Sequence, residues 1–111
     1  MMYIDFEVKE KNYKLRLGTR NIVALEKAIG CNPLSIFKEN NELPSITTMV
    51  TILFHSMQKF NHGISLTDAY DIFDEYLEEN SATDFISVIL DIYKVSGIIR
   101  EDKDVETDEK N

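Results

Sequence analysis

The feature that most constrains the fold of this chain is a change in apolar periodicity at Gly18. Before it, apolar and polar residues alternate along Tyr3–Val8 and again along Tyr13–Leu17, with a polar connection at Lys9–Asn12. Such alternation is typical of half-buried β-strands. After Gly18, apolar residues recur every three or four positions, which indicates amphipathic helices. An isolated two-stranded hairpin is marginal in water, so the hairpin must pack on the helices.

Capping residues and stop signals divide the rest of the chain into five helical segments. Helices are predicted at about 20–29, 33–39, 46–60, 66–79 and 82–95. Their predicted N-terminal caps are Thr19, Asn32, Ser45, Ser65 with Asp68 as a capping box, and Asn80 or Ser81. Gly30 ends the first helix and Pro33 opens the second. The predicted fold is mainly α (α+β), with an N-terminal β-hairpin packed on a compact bundle of four to five helices.

Length and charge set the domain organisation. A chain of 111 residues forms one domain, predicted at 1–97, and its net charge is −8. Residues 101–111 contain six acids, two lysines and one large apolar residue, Val105. Such a segment cannot bury enough apolar surface to offset the entropy of ordering it. The sequence therefore predicts an acidic disordered tail at 98–111.

The charge and composition of the chain exclude several classes of partner. Nucleic-acid binding through phosphates needs clustered Lys and Arg, which an acidic chain lacks, although a protein that imitates nucleic acid stays open. No apolar run approaches the roughly 20 residues that span a bilayer. The first ten residues mix acids with apolar residues and do not form a secretory signal, and Cys31 is the only cysteine. We therefore expect a cytoplasmic protein that binds neither membrane nor nucleic acid.

No set of residues indicates catalysis, a cofactor or a metal. His55 and His62 would lie about 10.5 Å apart along a continuous helix, too far for one metal ion. Cys31 precedes a predicted helix, where its thiol pKa could fall, but no histidine or second cysteine lies nearby in sequence. We expect Cys31 to be a small buried apolar side chain.

Two groups of side chains are candidate binding surfaces. The fourth predicted helix presents an acidic face that could hold a basic partner or simply keep the protein solvated: Asp71, Asp74, Glu75 and Glu78. The third carries an apolar stripe rich in Met and Phe, which could form an adaptable groove for a partner helix or be plain core. The residues predicted to bind a partner are Met49, Leu53, Phe54, Met57 and Phe60.

Several short motifs in the first half of the chain carry a family resemblance. They are Lys14-Leu15-Arg16-Leu17, Thr19-Arg20, Leu25-Glu26-Lys27, Gly30 and Asn32-Pro33-Leu34. In this order and spacing the chain resembles the tail assembly chaperones of long-tailed (siphovirus-type) bacteriophages, especially small forms from phages and prophages of low-GC Gram-positive bacteria. The later helices match this family only in their general apolar or acidic character, and not in sequence motifs.

The resemblance implies a non-enzymatic role in phage morphogenesis. Proteins of this kind bind the long tape measure protein and keep it soluble in the host cytoplasm until the tail tube polymerises around it. They are absent from the finished particle. In many relatives a ribosomal frameshift yields a longer product that recruits major tail tube subunits, and such an extension would begin at the acidic end of this chain.

Two other functions stay open at the level of sequence. One is an acidic inhibitor, encoded by a phage or plasmid, that imitates nucleic acid. The other is a small regulatory or toxin-neutralising partner. A major tail protein gene just upstream and a very long tape measure gene downstream would favour the chaperone. Pairing of the hairpin edge with a second copy, giving a homo-oligomer, also stays open.

Overall fold

A computed structural model describes residues 2–37 and 43–100, and there the chain forms an N-terminal antiparallel hairpin followed by four α-helices and a short 3₁₀ helix. The strands are β1 (Ile4–Val8) and β2 (Lys11–Leu15). The helices are α1 (Thr19–Ile29), the 3₁₀ helix Pro33–Phe37, α2 (Ile46–Met57), α3 (Leu66–Tyr76) and α4 (Asp84–Val95). The predicted fold class, a hairpin packed on helices, is confirmed.

The hairpin turn is tighter than the alternation predicts. Val8 pairs with Lys11 and Glu7 with Asn12, so only Lys9 and Glu10 connect the strands. The predicted four-residue connection is therefore wrong, because two of its polar residues belong to β2. Lys9 and Glu10 have φ values of 50° and 69°. Positive φ at both central residues is the condition of a type I′ turn, which usually selects Asn or Gly.

The two residues that follow β2 are hydrogen-bonded to the C-terminal ends of two helices. The Arg16 N–H donates to the Ser56 carbonyl oxygen at 2.9 Å. The Leu17 N–H donates to Ser96 Oγ, also at 2.9 Å, just after α4. These hydrogen bonds fix the open end of the hairpin against the C-terminal ends of α2 and α4.

Most of the predicted caps are confirmed. The Thr48 N–H donates to Ser45 Oγ at 3.1 Å, and Ser65 and Asp68 exchange the two hydrogen bonds of a capping box. Ser81 makes the same exchange with Asp84, although α4 begins at Asp84 and Thr83 holds its cap position. The Leu34 N–H donates to Asn32 Oδ1 at 2.9 Å, and Gly30 ends α1 with a φ of 77°.

Other boundaries differ from the prediction. Thr19 is the first residue of α1 and not its cap, because Gly18 holds the cap position and donates its N–H to Asn21 Oδ1 at 2.9 Å. The predicted 33–39 helix is a 3₁₀ helix over 33–37, with 38 and 39 outside the described residues. The helices predicted at 46–60, 66–79 and 82–95 are each two or three residues shorter at one end.

The core lies around α2, which packs on α1, α3, α4 and β2. Leu25 of α1 is fully buried in it, as its position between Ile22 and Ile29 predicts. Rings from β1, α3 and α4 meet on one side of the core, with Phe73 and Phe85 edge to face at a centroid distance of 5.1 Å. Edge-to-face pairs add to the stabilisation from burial alone.

The packed domain continues past residue 97. Ile98 and Ile99 are partly buried against the core, and both of their N–H groups donate to the Tyr93 carbonyl oxygen. The domain therefore reaches at least Ile99. Residues 101–111 of the predicted tail lie outside the described residues. None of the helices in the described ranges is long and apolar enough to cross a bilayer.

Candidate functional site

The structure places the predicted partner-binding residues at two different depths. Met49, Leu53 and Met57 have exposed fractions of 1%, 0% and 0%. They lie on the side of α2 that the surrounding elements cover, so no partner reaches them in this conformation. Phe54 and Phe60 are only partly buried. Of the predicted set, these two rings are accessible.

Phe60 belongs to a small aromatic and basic patch beside the hairpin. Its ring lies 5.4 Å from the Tyr3 ring, centroid to centroid. The Lys14 ammonium sits 5.0 Å from the Tyr3 ring centre, and the Lys59 ammonium 5.7 Å from the Phe60 ring centre. Cations over ring faces are attracted by the ring quadrupole. These contacts lie within the fold and leave both rings partly exposed.

A second apolar surface lies on α3 and on Leu77, the residue that caps its C-terminal end. Leu66, Tyr70 and Leu77 have exposed fractions of 46%, 42% and 37%. Their spacing of four and then seven residues places them in one row along the helix. The row adjoins the buried face formed by Ala69, Ile72, Phe73 and Tyr76. We call Leu66, Tyr70 and Leu77 the α3 stripe.

The sequence alone does not separate the α3 stripe from the buried apolar residues of the same helix. The period of 3.6 identifies the apolar side of a helix but does not fix how much of that side a neighbour covers. Burial is centred near Ile72 and Phe73, which leaves the far border of the apolar side in solvent. The signal that could have located the stripe is its position next to the acidic residues.

The acidic face predicted for α3 is exposed, and one of its members is paired across the fold. The Lys9 ammonium of the hairpin turn forms an ion pair with the Glu78 carboxylate, and this hydrogen bond raises the pKa of Lys9. The capping box lowers the pKa of Asp68, mainly through the backbone N–H of Ser65. Burial raises the pKa of Tyr13, and the nearby charges of Glu75 and Asp68 add to the shift. The hairpin thus lies along the acidic side of α3.

The candidate metal and nucleophile residues do not converge. His55 donates from Nδ1 to the Thr51 carbonyl oxygen at 2.8 Å, a local contact within α2. Among residues 2–37 and 43–100, no group of three or more His, Cys, Asp or Glu side chains is placed to hold a metal ion. Cys31 is exposed, so the prediction of a buried Cys31 is wrong. The left-handed Gly30 turns the chain away from α1 before the next helix begins and leaves Cys31 at the surface.

A protein-family model matches residues 5–111, which is almost the whole chain. Its description is a family of unknown function, DUF6096. The chain belongs to the DUF6096 family. The DUF6096 match begins at Asp5 in β1 and includes every helix described above. No curated protein and no solved structure matches the chain.

Proposed function

We propose that this protein is a tail assembly chaperone of a long-tailed phage or prophage, and that it binds the tape measure protein in the cytoplasm of the bacterial host. The observation that carries the proposal is the α3 stripe, a row of three large apolar side chains left in solvent beside an acidic face. Exposed apolar rows rimmed by polar residues mark protein-binding surfaces. The protein acts by binding and not by catalysis.

The residues behind the family resemblance support a shared scaffold. Leu15 and Leu17 are buried at the end of the hairpin, and Leu25 is buried in α1. Gly30 has the left-handed conformation that stops α1, and Asn32 caps the next helix. These five residues therefore have local folding roles that a relative with the same fold would also need. The motifs support the fold of such a chaperone, whereas the α3 stripe supports its activity.

The α3 stripe fits an amphipathic helix, the element expected to be abundant in a long helical tape measure protein. An amphipathic helix would lay its apolar row along Leu66, Tyr70 and Leu77, and basic residues on its flank would face Asp71 and Asp74. Burial of the three apolar side chains would supply most of the binding free energy, because exposed charges contribute little after screening. Binding should therefore survive moderate salt.

In the proposed role, the protein acts during tail assembly and is not part of the finished virion. It would leave before the virion is complete, and a longer frameshifted form would recruit major tail tube subunits while the short form covers the tape measure protein.

A second candidate is an inhibitor or regulatory partner that imitates nucleic acid. The exposed acidic face of α3 favours it: Asp71, Asp74 and Glu75, together with Glu78, which Lys9 pairs.

Co-expression with the tape measure protein of the same genome tests the proposal. We expect the tape measure protein to become soluble and to co-purify only when this chain is present. Tyr70→Glu should abolish the rescue, whereas Val23→Glu on α1 should preserve it, because Tyr70 and Val23 are similarly exposed at 42% and 44%.

Two results would count against this function. If the tape measure protein stays insoluble with both the short chain and any longer form supplied, the chaperone proposal fails and the inhibitor moves ahead. If Tyr70→Glu rescues as well as Val23→Glu, the α3 stripe is not the binding surface. Loss of binding between low and moderate salt would favour an electrostatic mimic.

A further inference from the structure

The two edges of the hairpin differ, because the outer edge of β2 is closed at Lys14 and, just past the strand, at Arg16. The Lys14 N–H donates to Asn61 Oδ1 at 3.1 Å, and Asn61 Nδ2 donates back to the Lys14 carbonyl oxygen at 2.7 Å. The Arg16 N–H reaches the Ser56 carbonyl oxygen. The Asn61 amide thus takes the place that a neighbouring strand would occupy.

The outer edge of β1 is unpaired among the residues that the structure describes. In an antiparallel pair of strands, the N–H and C=O groups of two directly opposed residues either both point toward the other strand or both point away from it. Lys14 points outward to Asn61, so its partner Asp5 points away from β2, and Glu7 does the same two residues later. Within the described part of the chain, no hydrogen bond reaches the backbone N–H or C=O of Asp5 or Glu7. Both residues are exposed, so these four groups are free to bind water or a further strand.

The open edge carries negative charge on its solvent side. Phe6 and Val8 point into the core, so Asp5 and Glu7 lie on the opposite face of the hairpin. Asp5 is directly opposite Lys14, whereas Glu7 is opposite the neutral Asn12. The Glu7 carboxylate therefore has no basic partner directly across the hairpin.

A hollow at the turn end of β1 extends this negative surface. It encloses about 560 Å³ and is lined by Glu7, Lys9, Glu10 and Glu79. The single ammonium among these residues, that of Lys9, is already paired with Glu78. Three carboxylates are thus left to face a basic side chain arriving from the edge.

We propose that β1 accepts a third strand from a partner protein, an extended segment in which Lys or Arg alternates with apolar residues. Backbone hydrogen bonds to Asp5 and Glu7 would hold the segment. Its basic side chains would lie beside the two carboxylates, and its apolar side chains would extend the buried face of Phe6 and Val8. The proposal goes beyond the chaperone function, because it uses a different surface and an extended ligand instead of a helix.

Charge selects this occupant over a second copy of the chain. Two β1 strands paired edge to edge would place Asp5 and Glu7 opposite carboxylates of the same kind. Directly opposed like charges destabilise a sheet. Acidic residues on an exposed edge are also a common protection against self-association.

An NMR titration of the full-length protein with a synthetic peptide tests the proposal. The probe is a capped seven-residue peptide that alternates Lys and Val, and its control has Glu in place of each Lys. We expect the Lys peptide to shift the amide signals of Asp5 and Glu7 and to slow their hydrogen exchange. The Glu peptide should bind at least about tenfold more weakly, since a few unfavourable charge pairs amount to a tenfold change or more.

Two variants separate the contribution of the Glu7 backbone N–H to peptide binding from that of the Glu7 side-chain charge. Glu7→Pro removes the outward N–H and leaves the ladder to β2 intact, because proline is tolerated at an outward-facing position of an edge strand. It should weaken Lys-peptide binding about tenfold relative to Glu7→Gln, which removes the charge and keeps the N–H. Should Glu7→Pro fail to fold, a Lys peptide N-methylated at alternate positions replaces it and should not bind wild-type protein.

Three outcomes would overturn the proposal. In the first, the shifts are confined to the acidic face of α3. In the second, Glu7→Pro or the N-methylated peptide binds as well as its matched control. In the third, the free protein is a dimer in which the Asp5 and Glu7 amides are already protected, which would make a second copy the occupant.

Discussion

The hydroxyl of Tyr93 in α4 donates a hydrogen bond to the carbonyl oxygen of Pro33, 3.0 Å away and 60 residues earlier in the chain. Both residues are buried, and the Phe37 ring packs edge to face on the Tyr93 ring at a centroid distance of 6.2 Å. Pro33 opens the 3₁₀ helix, so this single hydroxyl ties a short and otherwise weak element to the core.

Removing that hydroxyl should destabilise the fold. Tyr93→Phe would keep the ring and leave the buried Pro33 carbonyl without its donor, so we expect a loss of about 1–3 kcal/mol in the free energy of unfolding. Urea denaturation measures this loss. Tyr70→Phe is the matched control, because Tyr70 is 42% exposed, and it should change stability little. Equal effects from the two variants would contradict the role assigned to Tyr93.

Alkaline pH should also weaken the fold. Burial raises the pKa of Tyr93 well above 10, and it raises the pKa of Tyr13 and Tyr76 in the same direction. A raised folded-state pKa means that the stabilisation is complete below the unfolded-state pKa, near 10, and is lost as the pH rises above it. Urea midpoints between pH 8 and 11 should fall most steeply above pH 10. The fall should be shallower in Tyr93→Phe, and parallel curves would refute this assignment.

Truncation of the Leu25 side chain in α1 should strongly destabilise the fold. It has no exposed surface, and Leu25→Ala would leave a cavity among α1, α2 and their neighbours. We expect a loss of about 2–5 kcal/mol in the free energy of unfolding by chemical denaturation. Val23→Ala, on the same helix but 44% exposed, should cost far less. A loss below about 1 kcal/mol for Leu25→Ala would mean that the site collapses freely.

The hairpin turn should be improvable by one substitution. Glu10 has a φ of 69°, a left-handed conformation that costs a side-chain-bearing residue roughly 1–2 kcal/mol. Glu10→Gly removes that strain and adds some unfolded-state entropy, so we expect a net gain of about 0.5–1 kcal/mol. Glu10→Ala removes the same charge but keeps Cβ, and its thermal midpoint should not rise. A gain of equal size in both variants would assign the effect to charge.

The sequence predicted the fold where the local rules are strong. The change of period at Gly18 separated the hairpin from the helices, and the Ser45 and Ser65 caps marked the starts of α2 and α3. The two-residue turn was missed because Lys and Glu are not among the residues that usually form turns. The exposure of Cys31 was missed because spacing in sequence does not show how a left-handed Gly30 redirects the chain.

The candidate binding surface was harder to predict than the fold. Met49, Leu53 and Met57 have the pattern of an apolar groove, but the same pattern describes the core face of a central helix. Only the packing of α1, α3, α4 and β2 around α2 decides between the two. Which edge of the hairpin stays open was equally hidden, because the closure of the β2 edge at Lys14 depends on Asn61, 47 residues later in the chain.

The hydrogen bond from the Leu17 N–H to Ser96 Oγ spans 79 residues and has a consequence for synthesis. The hairpin leaves the ribosome before the helices and is fastened to nearly the last residue of the described domain. At about 5–20 residues per second, the apolar side of the hairpin therefore waits several seconds for α4 to arrive. A product that stops before Ser96 would expose that side permanently, so truncated chains should be substrates for proteases and not partly active forms.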